Sequence, residues 1–550
     1  MGDFAFAMTE QKSTQSARYN SGVVRSAAGL VALSALSPAT GLAVEIVLAW
    51  RLGASSTLDA FRIASMLLTF SWGLFIVEMM PNVVVPIFAQ CRARGSEEDG
   101  WTAAFSIANA FLVPTAIACT LIVIWPYWVV GLFGPGLVGG AKIQCAKFIR
   151  FFAIAALPLV WSGAAGSILY ARNIVWPPSL ASICGNCVIL TALVLLPTAI
   201  APLGLSLATL AASACTLFLF FGLLMPLMRR TQLTSAVWRR LDISHTVFRR
   251  AIGSCLPLIV MLLLNFVATV AVNRALSRLA PGSVAVFGYA WKMTALASLA
   301  PVALATVLFP KFAEVRAAST RDAFRAICTK GIRMGLYIAL PIAAACILLR
   351  LPLTLILFRR GAFSNYAAIR TARCFGLLLL FSTAIVIYMY LQRISYAVHD
   401  TLAPSLVQSA VYVLQILFVP LAGVRFGADG ICVLLFATQL AGCLCLTYYL
   451  SRARGAIDLA EMGAFGILLV APMGASIWAG LRVVQFFLSS ASILGLSQLV
   501  SRVSLSLGVM AVVFVALTLL LRLPEALTWP RQLRSTGTSI ARLALSPIRQ

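Results

Sequence analysis

The sequence predicts an all-α integral membrane protein with about fourteen membrane-spanning helices, arranged as two pseudo-symmetric six-helix halves plus two extra C-terminal helices. Three observations lead to this prediction: the composition, long apolar runs, and phrases repeated at one spacing. Apolar residues make up 61% of the chain, charged residues only 11%, and the mean hydropathy is +0.97. Soluble domains have about 45–50% apolar and about 25% charged residues. The composition therefore excludes an ordinary soluble protein.

Apolar runs of about 18 residues or more recur along most of the chain, and each is long enough to cross a bilayer as a helix. Backbone groups in lipid must be hydrogen-bonded within their own segment, which favours helices. The strict alternation of a membrane barrel strand is missing from these runs. The predicted spans are residues 27–50, 59–90, 101–125, 146–171, 178–200, 203–228, 251–275, 283–312, 326–349, 371–398, 403–423, 428–450, 462–488 and 503–522.

The formal charge of +26 does not indicate nucleic-acid binding, because the basic residues lie in loops between the apolar spans. Basic loops mark the cytoplasmic side of a membrane protein. The segment 229–250, for example, contains three arginine doublets. With this segment in the cytoplasm, both termini of this predicted multi-pass protein are also cytoplasmic.

Three phrases occur twice in the same order. The phrase pairs lie at offsets of 226, 224 and 225 residues, and the segments are 168–180 with 394–406, 86–93 with 310–317, and 132–136 with 357–361. One shared spacing indicates an internal duplication. Because six crossings return the chain to its starting side, the two copies have the same orientation. Parallel repeats of this kind are a known transporter plan, with the substrate site between the halves.

The duplication sets the predicted domain boundaries. A cytoplasmic N-terminal segment is followed by the first half, a basic cytoplasmic linker, the second half, two additional helices and a basic cytoplasmic tail. These parts are residues 1–26, 27–228, 229–250, 251–452, 453–522 and 523–550.

Several motifs make the chain similar to the MurJ/MviN family of the multidrug/oligosaccharidyl-lipid/polysaccharide exporter superfamily. They are Gly53 to Phe61, Gly134-Pro135-Gly136, Leu357 to Phe363, and Tyr396 to Pro404. The resemblance implies a flippase that uses no cofactor and carries a polyprenyl-diphosphate-linked saccharide, typically the peptidoglycan precursor lipid II. Transport would run from the inner to the outer leaflet of the bacterial inner (cytoplasmic) membrane by alternating access, with membrane lipids along two additional helices.

The chain departs from the family at the cavity arginines that are taken to hold the diphosphate. The corresponding positions here are Pro38, Val44 and Trp72. The cationic position of the eighth span is kept as Lys292. The position before it, which is usually acidic in the family, is Trp291 here. An alternative substrate is therefore an exopolysaccharide or other lipid-linked oligosaccharide repeat unit.

Charged residues inside spans are functional candidates, because a charge near the bilayer centre costs about 2.5–3.5 kcal/mol on insertion scales. Lys292 is predicted to face the cavity and meet the lipid phosphate, or to form an internal ion pair. Glu45 and Glu78 are its candidate partners. The two carboxylates alternatively bind Na⁺ or a proton, and transport is then coupled to a monovalent cation or to the membrane potential.

Five more residues complete the predicted substrate-binding set. Arg62 follows Asp59 by three residues, so the two are expected to pair on one helix face or to act as a gate. Asn265 is expected to hydrogen-bond across helices. Trp72 and Trp291 would stack on a sugar ring or pack against neighbours.

Other classes of function remain as rivals. An ion-coupled drug exporter of the same superfamily would prefer carboxylates in its cavity. A non-transporting membrane scaffold would explain the missing arginines. An enzyme is not predicted, because the chain has no nucleophile–base set at suitable spacing, and His245 and His399 are too few for a histidine metal cluster.

Overall fold

The structure is a computed structural model that describes residues 33, 36–172, 174–197, 201–230, 246–318, 320–487 and 495–526. These residues are mostly helical, and no strand occurs among them. The predicted N-terminal segment lies outside the described residues, as do most of the basic linker and most of the C-terminal tail.

The helices follow one another with short connections. They are α1 (36–52), α2 (Ser56–Trp72), a π-helical segment (Gly73–Glu78), α3 (Met79–Ala93), α4 (Glu97–Ile124), α5 (Pro126–Phe133), α6 (Gly139–Ala171), α7 (Pro177–Leu195), α8 (Ala201–Arg230), α9 (Thr246–Ser277), α10 (Ser283–Ala297), α11 (Leu299–Ala318), α12 (Arg321–Leu348), α13 (Arg350–Phe358), α14 (Asn365–Ala397), α15 (Leu402–Arg452), α16 (Leu459–Phe487) and α17 (Leu496–Leu520).

Eleven helical stretches in the described ranges are long and apolar enough to cross a membrane. One of them is α15, which contains the two predicted spans 403–423 and 428–450 on either side of a kink at Gly427. Two predicted spans are not among the eleven: span 27–50, of which residue 33 and the part from residue 36 onward, in α1, are described, and span 283–312, which is divided between α10 and α11. The count of fourteen crossings stays a prediction.

The second predicted span, 59–90, is not a uniform α-helix. Its middle is the π-helical segment, in which the Met79 N–H bonds the Leu74 carbonyl five residues earlier. A π turn inside an α-helix is rare and often lies at a functional site. Here it ends at Glu78, one of the predicted cavity carboxylates.

The predicted span 283–312 is interrupted at Ser298, between α10 and α11. Pro301 follows three residues later and has no N–H to continue the helical bonding. The Pro301 carbonyl accepts a 2.9 Å hydrogen bond from the Tyr390 hydroxyl. The Ser298 break lies 225 residues after Gly73, which is the spacing of the repeated phrases.

Helix lengths also recur at this spacing. Helices α4 and α12 both have 28 residues, and α6 and α14 both have 33. The short helix α5 lies between α4 and α6, and the short helix α13 lies between α12 and α14. The element order is what a duplication produces, while the division into halves at the linker stays a prediction.

The repeated phrase at 394–406 forms the turn between α14 and α15. Asp400 accepts hydrogen bonds from the Ala403 N–H (3.1 Å), the Tyr449 hydroxyl (2.6 Å) and the Arg454 guanidinium (2.7 Å). Burial raises the pKa of Asp400, but these bonds outweigh it and hold the pKa below its ordinary value. This repeated phrase therefore includes the start of helix α15.

One buried apolar cluster joins the two predicted halves. It contains Leu48 and Ile63 from the first half and Leu276, Tyr289 and Phe375 from the second. Two further clusters lie within the separate halves. The halves are thus packed together in this shared cluster.

Candidate functional site

A cavity of about 1030 Å³ lies between the predicted halves. Its walls come from α1, α2, the π-helical segment and α3 of the first half, and from α9, α10, α14 and α15 of the second half. Small-molecule pockets are about 300–1,000 Å³. The cavity therefore has room for a large polar headgroup.

Four charged side chains line the cavity: Glu45, Arg62, Glu78 and Lys292. All four belong to the predicted substrate-binding set, and Asn265 and Trp291 of that set also lie in the lining. The structure thus brings six of the eight predicted residues together. Asp59 and Trp72 lie elsewhere.

Arg62 pairs with Glu45 and not with Asp59, so the predicted local pair is wrong. The Arg62 guanidinium approaches the two Glu45 carboxylate oxygens at 2.5 and 3.5 Å. It also lies 4.7 Å from the centre of the Tyr289 ring, as a cation–π contact. A Cβ at position 288 would lie 2.5 Å from the guanidinium, so Gly288 leaves the space that Arg62 fills.

Asp59 faces away from the cavity and is 4% exposed. Its carboxylate accepts hydrogen bonds from the backbone N–H groups of Gly282 (2.6 Å) and Ala285 (2.7 Å), at the start of α10. Negative groups are stabilised at a helix N-terminus by free N–H donors and the helix dipole. Asp59 therefore joins the first half to α10 and does not contact the cavity.

The Asp59 contact is one of several that close the cavity at this end. The Tyr289 hydroxyl donates to the Gly53 carbonyl (3.0 Å), and the Ala362 N–H donates to the Trp50 carbonyl (2.9 Å). At Gly282, φ is +84°, and a Cβ there would lie 2.3 Å from the Ala54 carbonyl oxygen. Backbones of the two halves thus touch directly, and we call these contacts the end seal.

We expect Asp59→Asn to weaken the end seal. The amide has one acceptor oxygen in place of two, and its NH₂ group must face a backbone donor. A lost helix cap costs about 0.5–2 kcal/mol, so the thermal unfolding midpoint in detergent should fall. Asp322→Asn is the matched control, because Asp322 is in the first turn of α12 and is exposed. Equal midpoints for the two variants would contradict the assigned role.

Lys292 is exposed in the cavity wall and forms no hydrogen bond or ion pair with any described residue. The predicted internal ion pair with Glu45 or Glu78 is absent here. Trp291 is 42% exposed and packs its ring against Phe287 and Phe381, at centroid distances of 6.1 and 5.8 Å. Lys292 is therefore available to an anionic ligand.

Glu78 and Asn265 are the other predicted polar residues of the wall. Glu78 is half-buried and, like Lys292, has no hydrogen-bond or ion-pair partner in the described part of the chain. Asn265 is exposed on α9 and faces the same space. The cavity thus holds a paired cation and anion together with one unpaired charge of each sign.

The positions of the family's cavity arginines are apolar and packed here. Val44 is 8% exposed in the cluster that joins the halves, and Trp72 packs half-buried against the cluster of the first half. Pro38 is half-buried on α1. None of the three belongs to the cavity wall, so the interpretation of Trp72 as a sugar-stacking residue is wrong and its packing alternative holds.

The profile of the family described as Lipid II flippase MurJ matches residues 48–503 of this chain. The chain belongs to this family. The match begins in the last part of α1, spans the rest of both repeated units and continues into α17. Members of the family are flippases, which are membrane transporters and not enzymes.

Individual relatives are distant. The probable lipid II flippase MurJ of Rickettsia prowazekii (strain Madrid E) is 26% identical over 134 residues, which are 24% of this chain and 26% of that protein. The match thus spans about a quarter of the length of this curated relative.

Solved structures of membrane transporters share the fold, including the following two. The inward closed conformation of lipid II flippase MurJ aligns with a TM-score of 0.72 at 19% identity and covers 88% of this chain and 98% of that one. An inward-facing multidrug resistance MATE family transporter of the MOP superfamily gives 0.63 at 15% identity, covering 76% and 95%. The predicted all-α multi-pass fold, the family and the transporter class are confirmed.

Sequence reasoning missed one part of the wall, which consists of neutral amide and phenol groups on α14 and α15. These residues are Gln392, Tyr396, Gln408, Tyr412, Gln415 and Gln439. The signal was present, because Gln408 and Gln415 are seven residues apart in an apolar helix and so share one face. The sequence-based candidates were selected mainly by charge, and the charged lining residues lie on α1, α2, the π-helical segment and α10.

Proposed function

We propose that this protein moves a polyprenyl-diphosphate-linked saccharide of the lipid II type from the inner to the outer leaflet of the bacterial inner membrane. Both termini are then cytoplasmic. The single observation that carries the proposal is the cavity between the halves, where Lys292 has no partner among the described residues. A polar headgroup cannot cross bare hydrocarbon without a large desolvation penalty, and such a cavity replaces its water.

The anionic end of the substrate would meet Lys292 and Arg62. Lys292 is free to bind, whereas Arg62 must first exchange its bond to Glu45 for one to the phosphate. Arg62 carries the bidentate guanidinium fork that suits phosphate. In this proposal Arg62 and Lys292 together take over from the cavity arginines that the chain has lost.

Transport would follow by alternating access. The end seal closes the cavity on the side of Gly53 and Gly282, so the outward-open state requires these contacts to break. The π-helical segment and the Ser298 break lie at equivalent places in the two halves. Interrupted helices of this kind are suitable points for bending as the halves rock.

Transport would be driven by the membrane potential or by a monovalent cation. Outward movement of an anionic headgroup is helped by a negative interior, at about 2.3 kcal/mol per charge per 100 mV. Glu78 is the candidate cation site, because a half-buried carboxylate without a partner favours a proton or a metal ion. Glu45 is engaged by Arg62 instead.

We expect Glu78→Gln to remove the dependence of flipping on imposed H⁺ or Na⁺ gradients, because the amide neither titrates nor carries charge. Acceleration by the membrane potential should persist. The measurement is flipping in proteoliposomes under each gradient separately, with the exposed Glu98→Gln as control. Gradient dependence that is unchanged in Glu78→Gln would exclude Glu78 as the coupling site.

An exopolysaccharide repeat unit on the same carrier is the second candidate substrate. The packed, uncharged Val44 and Trp72 favour it, because the diphosphate contacts differ from those of the family. The test of the function is headgroup exposure in proteoliposomes that contain either lipid II or a lipid-linked exopolysaccharide unit. Wild-type protein should accelerate exposure of at least one. Rates equal to those of protein-free vesicles for both lipids would refute the proposal.

A further inference from the structure

The amide and phenol wall of the cavity contains three buried glutamines, all on α15. Gln408, Gln415 and Gln439 are 8%, 4% and 2% exposed. Burying an amide without hydrogen bonds costs about 1–3 kcal/mol by protein mutational data. Three such residues in one apolar helix therefore need an explanation.

The glutamines form hydrogen bonds across the kink of α15. Gln408 and Gln439 exchange two hydrogen bonds, of 3.4 and 3.3 Å, and the Gln415 amide donates to the Thr438 hydroxyl at 3.2 Å. These distances are at the long end for N–H···O bonds. None of the bonds involves a charge, so a ligand can exchange them at small cost.

Adhesion between the two arms of α15 explains part of this pattern, since buried polar side chains often join membrane helices. It does not explain why all three glutamines face the cavity. It also leaves Gln392 and Tyr396, which extend the same neutral wall from α14. The wall has more donors and acceptors than the helix pairing uses.

The charged and the neutral polar side chains of the cavity lie on different helices. All four charged side chains come from α1, α2, the π-helical segment and α10. The part of the wall formed by α14 and α15 contributes amides, phenols and apolar groups, without any charged side chain among its lining residues. Such a cavity suits a ligand with one anionic end and one neutral, hydroxyl-rich end.

We propose that the glutamines and tyrosines of α14 and α15 form a subsite for the saccharide of the transported lipid; this rests on the proposed function. Hydroxyl and acetamido groups both donate and accept hydrogen bonds, which matches the glutamine amide. Tyrosine rings offer an amphipathic surface to a sugar. The subsite selects the saccharide, while Lys292 and Arg62 hold the diphosphate.

The test compares binding of two probes, undecaprenyl diphosphate and lipid II, to the full-length protein in detergent. The double variant Gln408→Leu with Gln439→Leu removes both partners, so neither amide is left unpaired. Its affinity for lipid II should fall at least tenfold, while its affinity for undecaprenyl diphosphate should stay within about twofold of wild type. Gln498→Leu, at an exposed site on α17, is the control.

A second variant guards against misfolding. Gln415→Leu leaves the Thr438 hydroxyl bonded to the Leu434 carbonyl, so its unfolding midpoint should be close to wild type. It should show the same selective loss of lipid II affinity.

The remaining outcomes decide between the subsite and the function. Equal losses for both probes, or no loss for either, would overturn the subsite and leave the proposed function standing. A wild-type protein that binds neither probe would overturn the proposed function, and the subsite with it.

Discussion

Lys292→Ala should slow the flipping of a polyprenyl-diphosphate-linked saccharide about 10- to 150-fold. The estimate follows from losing one charge-assisted contact, worth about 1.5–3 kcal/mol, at about 1.36 kcal/mol per tenfold change in rate. Lys292 has no partner among the described residues, so its removal leaves no buried charge behind. Expression and thermal stability should therefore be unchanged. The measurement is headgroup exposure in proteoliposomes.

Two controls distinguish the loss of the positive charge at position 292 from a general loss of protein function. Lys292→Arg keeps the cation and should retain most of the activity. Lys147→Ala removes an exposed lysine on α6, outside the cavity wall, and should be neutral. Lys292→Ala protein that flips at the wild-type rate would show that the lysine does not meet the substrate.

Arg62→Ala should have the largest effect on stability. Arg62 and Glu45 are 14% and 7% exposed at their side chains, so the substitution leaves a buried carboxylate without its partner. Breaking a buried ion pair in this way costs about 3–5 kcal/mol. The unfolding midpoint in detergent should fall markedly, and the yield of folded protein with it.

The double variant Arg62→Ala with Glu45→Ala isolates the role of Arg62 in transport. With both charges removed, stability should recover most of the loss, while flipping should stay about tenfold or more below wild type, because a second phosphate contact is missing. If flipping recovered together with stability, the pair would be structural only, and Lys292 would hold the diphosphate alone.

The helical class and the repeated architecture were predictable because they follow from local properties. Apolar runs determine where helices lie, and the three repeated phrases share one spacing with the helix breaks at Gly73 and Ser298. The breaks themselves were not predicted, although Pro301 after Ser298 marks one of them in the sequence. Periodicity shows where a helix runs but does not show where its winding changes.

The cavity charges were predictable because a charged side chain inside a membrane span is costly and is therefore rarely present without a function. Their partners were not. Asp59 and Arg62 share a helix face by spacing, yet each finds a better partner from another element: the start of α10 for Asp59 and Glu45 for Arg62. The glutamines of α15 were missed because a neutral amide in an apolar helix is equally compatible with helix packing and with ligand binding.

The most direct test of the central claim is photo-crosslinking with a polyprenyl-diphosphate saccharide that carries a diazirine on its sugar, followed by mapping of the labelled peptides. The sugar should label α14 and α15, and excess lipid II or the unlabelled lipid should compete. Labelling confined to surfaces outside the cavity, such as the exposed Ile467 and Phe486 of α16, would contradict the account.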